Sequence, residues 1–174
     1  MFLLYDQVVY PGHGVARISN ILEQVIEGKV IKFYELSFMN QGTTILVPVH
    51  HAEQVGLRGL SSQEHITHAF SVIAQPSRKV HHHELSASSW NKRNKQYQLK
   101  LRRGGLVELS EIYRDLKSIQ TQKELSFGEK ALLQKIEFLI TEEISLVQHR
   151  NEQTTVAKIR SLCRHSNIQQ TSSL

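Results

Sequence analysis

The spacing of hydrophobic residues changes character near residue 57. Before that point, short segments rich in β-branched and aromatic residues are separated by turn signals at residues 11–12, 27–28 and 40–42. Such segments between glycine, proline and asparagine positions are typical of short strands. The pattern predicts strands over residues 7–10, 14–26, 30–38 and 44–49. Because no helical segments separate them, we expect a small antiparallel barrel or curled sheet.

After residue 57 the apolar residues recur every three or four positions, which is the pattern of amphipathic helices. Ser61 with Glu64, and Ser126 with Glu129, match the capping box that satisfies the first amides of a helix. Helices are predicted to start after these two serines and to cover residues 90–103, 106–119 and 154–162. The predicted fold class is therefore α+β, a small antiparallel β-barrel followed by an all-α helical bundle.

The charge distribution divides the chain at nearly the same place. The 174 residues carry a net charge of +5. Residues 1–56 contain three basic and five acidic residues, whereas the remainder contains eighteen basic and eleven acidic ones. This asymmetry predicts two modules with different partners. The predicted domains are residues 1–57 and 58–165, with a linker-like segment at 75–89 and a polar tail at 166–174.

Cysteine usage and hydropathy narrow the class of protein further. Cys163 is the single cysteine, which excludes an intrachain disulfide and a cysteine-rich zinc module. The first six residues contain no basic residue and end at Asp6, unlike a signal peptide. No segment approaches the roughly 20 apolar residues that span a bilayer. We expect a soluble, cytoplasmic protein.

No arrangement of residues indicates catalysis or a cofactor. Three of the ten histidines are adjacent at residues 81–83, in a serine-rich linker that imposes no fixed geometry on them. His65 and His68 are only a single helical step apart. We therefore expect no metal site. Gly12 and Gly14 lack the third glycine of a dinucleotide-binding loop. No pair of carboxylates or histidines and no nucleophile motif is placed for acid–base chemistry. We expect no enzymatic activity, no metal and no cofactor.

Trp90, the single tryptophan, begins the most basic segment of the chain. Residues 90–103 contain six basic residues and no acidic one. This one-sided charge is unusual for a helix, since like charges three or four residues apart repel. Cations neutralise phosphates, and an exposed ring can stack on a base or insert beside a base step. The segment therefore favours nucleic-acid binding over a simple solvated helix face.

Helical spacing leaves two alternatives for Trp90. Tryptophans are highly buried on average, which favours a place in the core. Here the residues one turn away on either side are small, polar or charged, whereas Tyr97 and Leu101 continue the same stripe further along. We predict that Trp90 lies at the rim of an apolar seam, half packed and half exposed.

Lys130 is a further candidate contact for nucleic acid. It falls in the first turn of the helix that Ser126 is predicted to cap. A cation at that end opposes the helix dipole, which favours negative charge there. A phosphate partner would remove the conflict.

Both halves of the chain contain short motifs in a fixed order. In the first half they are DQVVYPGHGV at residues 6–15, VPV at 47–49 and VGLR at 55–58. In the second half they are WNKR at 90–93, YRDL at 113–116 and LSFGEK at 125–130. Together these motifs resemble the CarD/CdnL family of bacterial transcription regulators, which shares its amino-terminal module with the transcription-repair coupling factor.

The resemblance implies a Tudor-like module that binds the β subunit of RNA polymerase, followed by a helical domain that lies on promoter DNA. In the family, a tryptophan wedges into the minor groove at the upstream edge of the transcription bubble and stabilises the open complex. By motif, that role falls on Trp90. The resemblance assigns the DNA backbone to Lys92, Arg93, Lys95 and Lys130, and the polymerase contact to Ile45, Leu46 and Val47. Asn94 stands where relatives usually carry an aromatic residue.

A second hypothesis remains beside this one. The protein could be an interaction adaptor whose basic helical domain binds an acidic protein rather than DNA. Salt-dependent binding to duplex DNA would favour the first hypothesis over the second. In either case we expect a monomer that does not bind membranes.

Overall fold

A computed structural model of the chain describes residues 1–38, 40, 42–76 and 87–171, and the side chains of these residues except 87, 88 and 164–171. The chain forms two compact units, Met1–Leu60 and Ser61–Leu174. The histidines at 81–83 and most of the linker-like segment predicted at 75–89 lie outside the described residues. Within the described ranges, no helix is both long enough and apolar enough to cross a membrane.

The first unit is a five-stranded antiparallel sheet with the strand order β4-β3-β2-β1-β5. The strands are β1 (Gln7–Tyr10), β2 (Gly14–Ile26), β3 (Lys29–Phe38), β4 (Thr43–Pro48) and β5 (Arg58–Gly59). The first four lie within one residue of their predicted bounds. β5 was not predicted, because two residues that pair with Val8 and Val9 are too few to show any period.

The sheet is open at both edges. β4 and β5 are the outermost strands, and they do not pair with each other in the described part of the chain. The antiparallel sheet is therefore confirmed, whereas closure into a Tudor-like barrel is not confirmed. β2 carries a bulge between Ile18 and Asn20, which locally increases the twist of the strand.

One side of this sheet forms the core of the first unit. In the pairing of β3 with its neighbours, Leu36 lies opposite Ile18, and Tyr34 lies opposite Val47. The buried cluster consists of Val8, Ala16, Ile18, Tyr34, Leu36, Phe38, Val47, Ala52 and Leu57. Alternate residues of β3 and β4 therefore face away from this core, since successive side chains in a strand point to opposite faces.

The second unit consists of helices around a separate core. The helices are α1 (Gln63–Ala74), α2 (Ala87–Arg103), α3 (Leu106–Gln122), α4 (Phe127–Gln148) and α5 (Glu152–Thr171). Every predicted helix is present, and α5 is longer than its predicted range of 154–162. Gly104, at φ 66°, ends α2 in the left-handed conformation that favours glycine. The α+β class is confirmed.

The capping box predicted for α1 is wrong by one residue. Ser62 is the N-cap, and its hydroxyl accepts a hydrogen bond from the His65 backbone N–H at 3.2 Å. The Ser61 backbone N–H instead donates to Oε1 of Glu143 in α4 at 2.9 Å. This bond joins residues 82 positions apart, so local spacing could not distinguish between the two adjacent serines.

Candidate nucleic-acid interface

Trp90 lies on the inner face of α2, at the edge of the second core. Tyr97 and Leu101, which follow it at helical spacing, are buried in that core. The Trp90 ring packs against the core but is only partly buried, and its centroid lies 6.5 Å from that of Tyr97. The predicted rim position is confirmed, and the alternative of a tryptophan within the core is wrong.

Gly128 in α4 forms the other support of the Trp90 ring. A β-carbon on Gly128 would lie 3.4 Å from Cζ2 and 3.6 Å from Nε1 of the indole. The indole therefore lies over the α4 backbone at Gly128, at a distance where a β-carbon would make ordinary van der Waals contact with it. Asn94 has no aromatic ring to support Trp90. Its side-chain oxygen accepts a hydrogen bond from Gln98 at 3.2 Å.

A buried carboxylate fixes α2 against the start of α4 at this point. Glu129 is fully buried, and its Oε1 accepts a hydrogen bond from Arg93 in α2 at 2.8 Å. Its Oε2 accepts hydrogen bonds from Lys123, the Ser126 backbone N–H and the Ser126 hydroxyl, each at 2.9 Å. The predicted capping box of Ser126 and Glu129 is confirmed. One carboxylate thus joins α2, the loop before α4 and the cap of α4.

The charge of Glu129 is maintained by its partners. Burial opposes ionisation, but hydrogen bonds from the Ser126 backbone, Lys123 and the Ser126 hydroxyl outweigh it, so the pKa of Glu129 is lowered from its ordinary value. The carboxylate is therefore ionised at neutral pH. An ionised acceptor strengthens each of these hydrogen bonds, and with them the link between α2 and the start of α4.

The four cations assigned to the DNA backbone do not share one surface. Arg93 is on the inner face of α2, where its guanidinium binds Glu129. Lys92 and Lys95 are exposed. Because each residue advances about 100° around a helix, Lys92 and Lys95 lie roughly 160° and 140° from Trp90. The structure therefore brings Arg93 to Trp90 and places both lysines on the outer face of α2.

Lys130 lies in the first turn of α4, two residues after Gly128. Its Nζ donates to Oε1 of Glu124 at 2.6 Å, and both side chains are largely exposed. The same hydrogen bond lowers the pKa of Glu124. Glu124 therefore supplies a negative charge beside Lys130 at the start of α4, where a phosphate was the predicted partner. An exposed pair of this kind contributes little to stability, so Lys130 can exchange Glu124 for another anion.

In the first unit, the three residues assigned to polymerase lie on the edge strand β4. Val47 points into the core, and Ile45 packs partly against it. Leu46 is 42% exposed and points to the opposite face of the sheet. Next to it on that face, Phe33 is nearly buried and pairs with Pro48. Leu46 is therefore the most exposed of the three side chains, and Ile45 retains some exposed area.

Sequence reasoning missed several residues of the interface around Trp90. It treated Glu129 only as a local cap, and it did not identify Lys123, Gly128 or the exposed Phe127. The capping motif marked the position of Glu129, but nothing in the spacing indicated its bond to Arg93, 36 residues away. Within the described residues, no three His, Cys, Asp or Glu side chains come together as a metal site.

Each of the two units matches a known protein family. Residues 4–61 match the family described as CarD-like/TRCF RID domain, and residues 71–160 match CarD, C-terminal domain. The second match alone covers more than half of the 174 residues, and the chain belongs to the CarD family. The predicted resemblance is confirmed, and this membership supports a role in transcription.

A relative in Bacillus subtilis (strain 168) is similar along most of its length. That protein, named "Putative transcription factor YdeB", is 27% identical over 146 residues. The aligned part covers 82% of this chain and 90% of the relative. The similarity therefore extends through both units.

Proposed function

We propose that this protein is a transcription regulator that binds the β subunit of RNA polymerase and stabilises the promoter open complex. The observation that carries the proposal is the position of Trp90, which is held firmly on one side and exposed on the other. We infer no enzymatic activity and no cofactor for this role, and we place it in the cytoplasm with a monomeric protein. Lifetimes of open complexes formed with the wild-type protein and with Trp90 variants test it.

The mechanism follows from a ring that is fixed in place before DNA arrives. An apolar wedge inserts beside a base step only when that step is partly unstacked. A ligand shifts an equilibrium only by its difference in affinity for the two states. Trp90 therefore stabilises melted DNA relative to closed DNA without reading the base sequence. Because Tyr97, Gly128 and the Arg93–Glu129 pair already hold α2, little ordering accompanies binding.

The cations divide into two roles under this proposal. Lys130, in the first turn of α4, contacts phosphates that pass the start of that helix. Lys92 and Lys95, on the outer face of α2, contact DNA that passes along the other side of the helix. Arg93 acts mainly through Glu129, and its contribution to DNA binding is indirect.

Alanine at both Lys92 and Lys95 tests whether the outer face of α2 contacts DNA. We expect the slope of log affinity for duplex DNA against log salt to decrease by about two, because two phosphate contacts are lost. Thermal stability should remain unchanged, since both side chains are exposed. Lys135→Ala, at an exposed position of α4, is the matched control and should leave the slope as it is. Fluorescence anisotropy over a range of salt measures all three.

The same measurement separates the proposal from an adaptor that binds an acidic protein. If the double variant retains the full affinity and salt slope of the wild type, the outer face does not contact DNA. Binding of the wild-type protein to duplex DNA without any salt dependence would favour the adaptor.

Leu46→Glu tests the assignment of the polymerase contact to β4. A carboxylate at this exposed position should strongly reduce retention of the β subunit, because it would place an unpaired charge in an apolar contact. Val30→Glu is the matched control, since Val30 is 61% exposed and, unlike Leu46, lies on the same side of the sheet as the core residue Tyr34. Pull-down of the β subunit by each variant measures the effect. Equal retention by Leu46→Glu and wild type would contradict this contact.

A further inference from the structure

Phe127 is an exposed aromatic residue that the fold itself does not use. It is the first residue of α4, and its side chain is 90% exposed. Among the large hydrophobic residues that the structure describes as exposed, only Met1 is more so. The cap of α4 is formed by Ser126 and Glu129, so the Phe127 ring has no part in it. Burial of a phenylalanine ring stabilises a fold, and here most of the ring remains in solvent.

Single exposed apolar residues are common on proteins and need no explanation by themselves. Phe127 differs because of what lies beside it. The next residue, Gly128, is the surface on which the Trp90 indole rests, with Cζ2 3.4 Å from the glycine β-carbon position. The Phe127 side chain therefore extends from the first turn of α4, and the Trp90 ring packs against that same turn. Both side chains have exposed area.

The charges around these rings favour an anionic partner. Lys123 and Lys130 both lie within four residues of Phe127, and each retains some exposed area. The nearest carboxylates are Glu129, which is fully buried and bound to two cations, and Glu124, which is exposed and bound to Lys130. An apolar protein surface would not need flanking cations, whereas duplex DNA presents phosphates beside a groove that accepts apolar side chains.

We propose that Phe127 inserts into the same minor groove as Trp90, so that one ring from α2 and one from α4 hold the edge of the melted DNA. This inference rests on the proposed function and adds a second contact residue to it. Trp90 is held rigidly by Tyr97 and Gly128, while Phe127 projects freely from the helix start. Both rings bind only DNA whose base steps have begun to separate, so each lengthens the lifetime of the open complex.

Phe127→Ala tests this inference in the full-length protein with RNA polymerase. We expect the open-complex lifetime to shorten about fivefold, which corresponds to losing one partly buried aromatic contact. Phe127→Tyr should restore most of the lifetime, because a tyrosine ring fills the same groove. Lys135→Ala is the control, since Lys135 is exposed on α4, has no proposed contact with DNA and should leave the lifetime unchanged. Thermal unfolding should be the same for all of these variants.

Two further measurements separate the possible outcomes. If Phe127→Ala leaves the lifetime unchanged while Trp90→Ala shortens it, this inference is overturned and the proposed function stands. If neither variant changes the lifetime, the proposed function itself fails. If Phe127→Ala weakens binding to polymerase in the absence of DNA, the ring contacts protein, and the inference is again overturned.

Discussion

Trp90→Ala should shorten the lifetime of promoter open complexes by roughly tenfold. Loss of an aromatic contact with a base costs about 1–3 kcal/mol, and 1.4 kcal/mol corresponds to a factor of ten. The effect should appear in the rate of bubble collapse, because the ring stabilises only the melted state. Lifetimes measured after challenge with a DNA competitor give this rate directly. Trp90→Phe, which retains a smaller ring, should show an intermediate lifetime.

Two controls make this result specific to the wedge. Retention of the RNA polymerase β subunit should be the same for Trp90→Ala and wild type, since the proposed polymerase contact lies in the first unit. Thermal unfolding is needed as well, because the ring packs partly against Tyr97 and Gly128. Unchanged lifetimes on several promoters, with a correctly folded variant, would contradict the wedge.

Glu129→Gln should lower the free energy of unfolding by about 3 kcal/mol and release the support of Trp90. Removing one member of a buried ion pair leaves its partners without compensation, which typically costs 3–5 kcal/mol. Arg93 and Lys123 retain some exposure, so we expect the lower end of that range. Trp90 is the single tryptophan, and its fluorescence therefore reports the change at the interface without interference. We expect its emission to shift to longer wavelength as the ring becomes more solvated.

Glu137→Gln is the matched control for this variant. Glu137 is also a carboxylate of α4, and it accepts hydrogen bonds from Tyr113 at 2.7 Å and from Arg160 at 2.6 Å. Its loss should reduce stability but leave the Trp90 emission unchanged, since its partners are distinct from Tyr97 and Gly128, which contact the indole, and from the partners of Glu129. If both variants shift the emission equally, Glu129 has no particular role in placing Trp90.

The lowered pKa of Glu129 predicts that the stability difference between wild type and Glu129→Gln depends on pH. The pKa of Glu129 is lower in the folded protein than the ordinary carboxyl value of about 4.3, so its contribution is fully present above that value. It is lost as the pH falls through the folded pKa. The stability difference between wild type and Glu129→Gln should therefore be constant from pH 7 to about 5 and should shrink below about 4.3. Chemical denaturation at each pH measures it, and a constant difference down to pH 3 would contradict the role of the ionised carboxylate.

Most of the secondary structure could be predicted because its signals are local. Four strands and five helices follow from hydrophobic period and turn residues, and the cap at Ser126 follows from a spacing of three residues. The cap of α1 shows the limit of this reasoning. Ser61 and Ser62 are both suitable residues, and the choice depends on a bond from Ser61 to Glu143 in another helix.

The site could be predicted only in part, for the same reason. Helical spacing from Trp90 to Tyr97 and Leu101 placed the ring at a rim, and the structure agrees. Spacing alone, however, does not divide the basic segment around it. Packing divides that segment, because Arg93 turns inward to Glu129 while Lys92 and Lys95 remain on the outer face.

The sequence by itself determined the order of the elements, the α+β class, the family motifs and the rim position of Trp90. These depend on periods of two and 3.6 residues and on caps, which act over a few positions. Only the tertiary structure decided that the sheet is open, that Gly128 supports the indole and that one carboxylate joins Arg93 to the start of α4. Those features depend on contacts between residues far apart in the chain, for which local spacing carries no information.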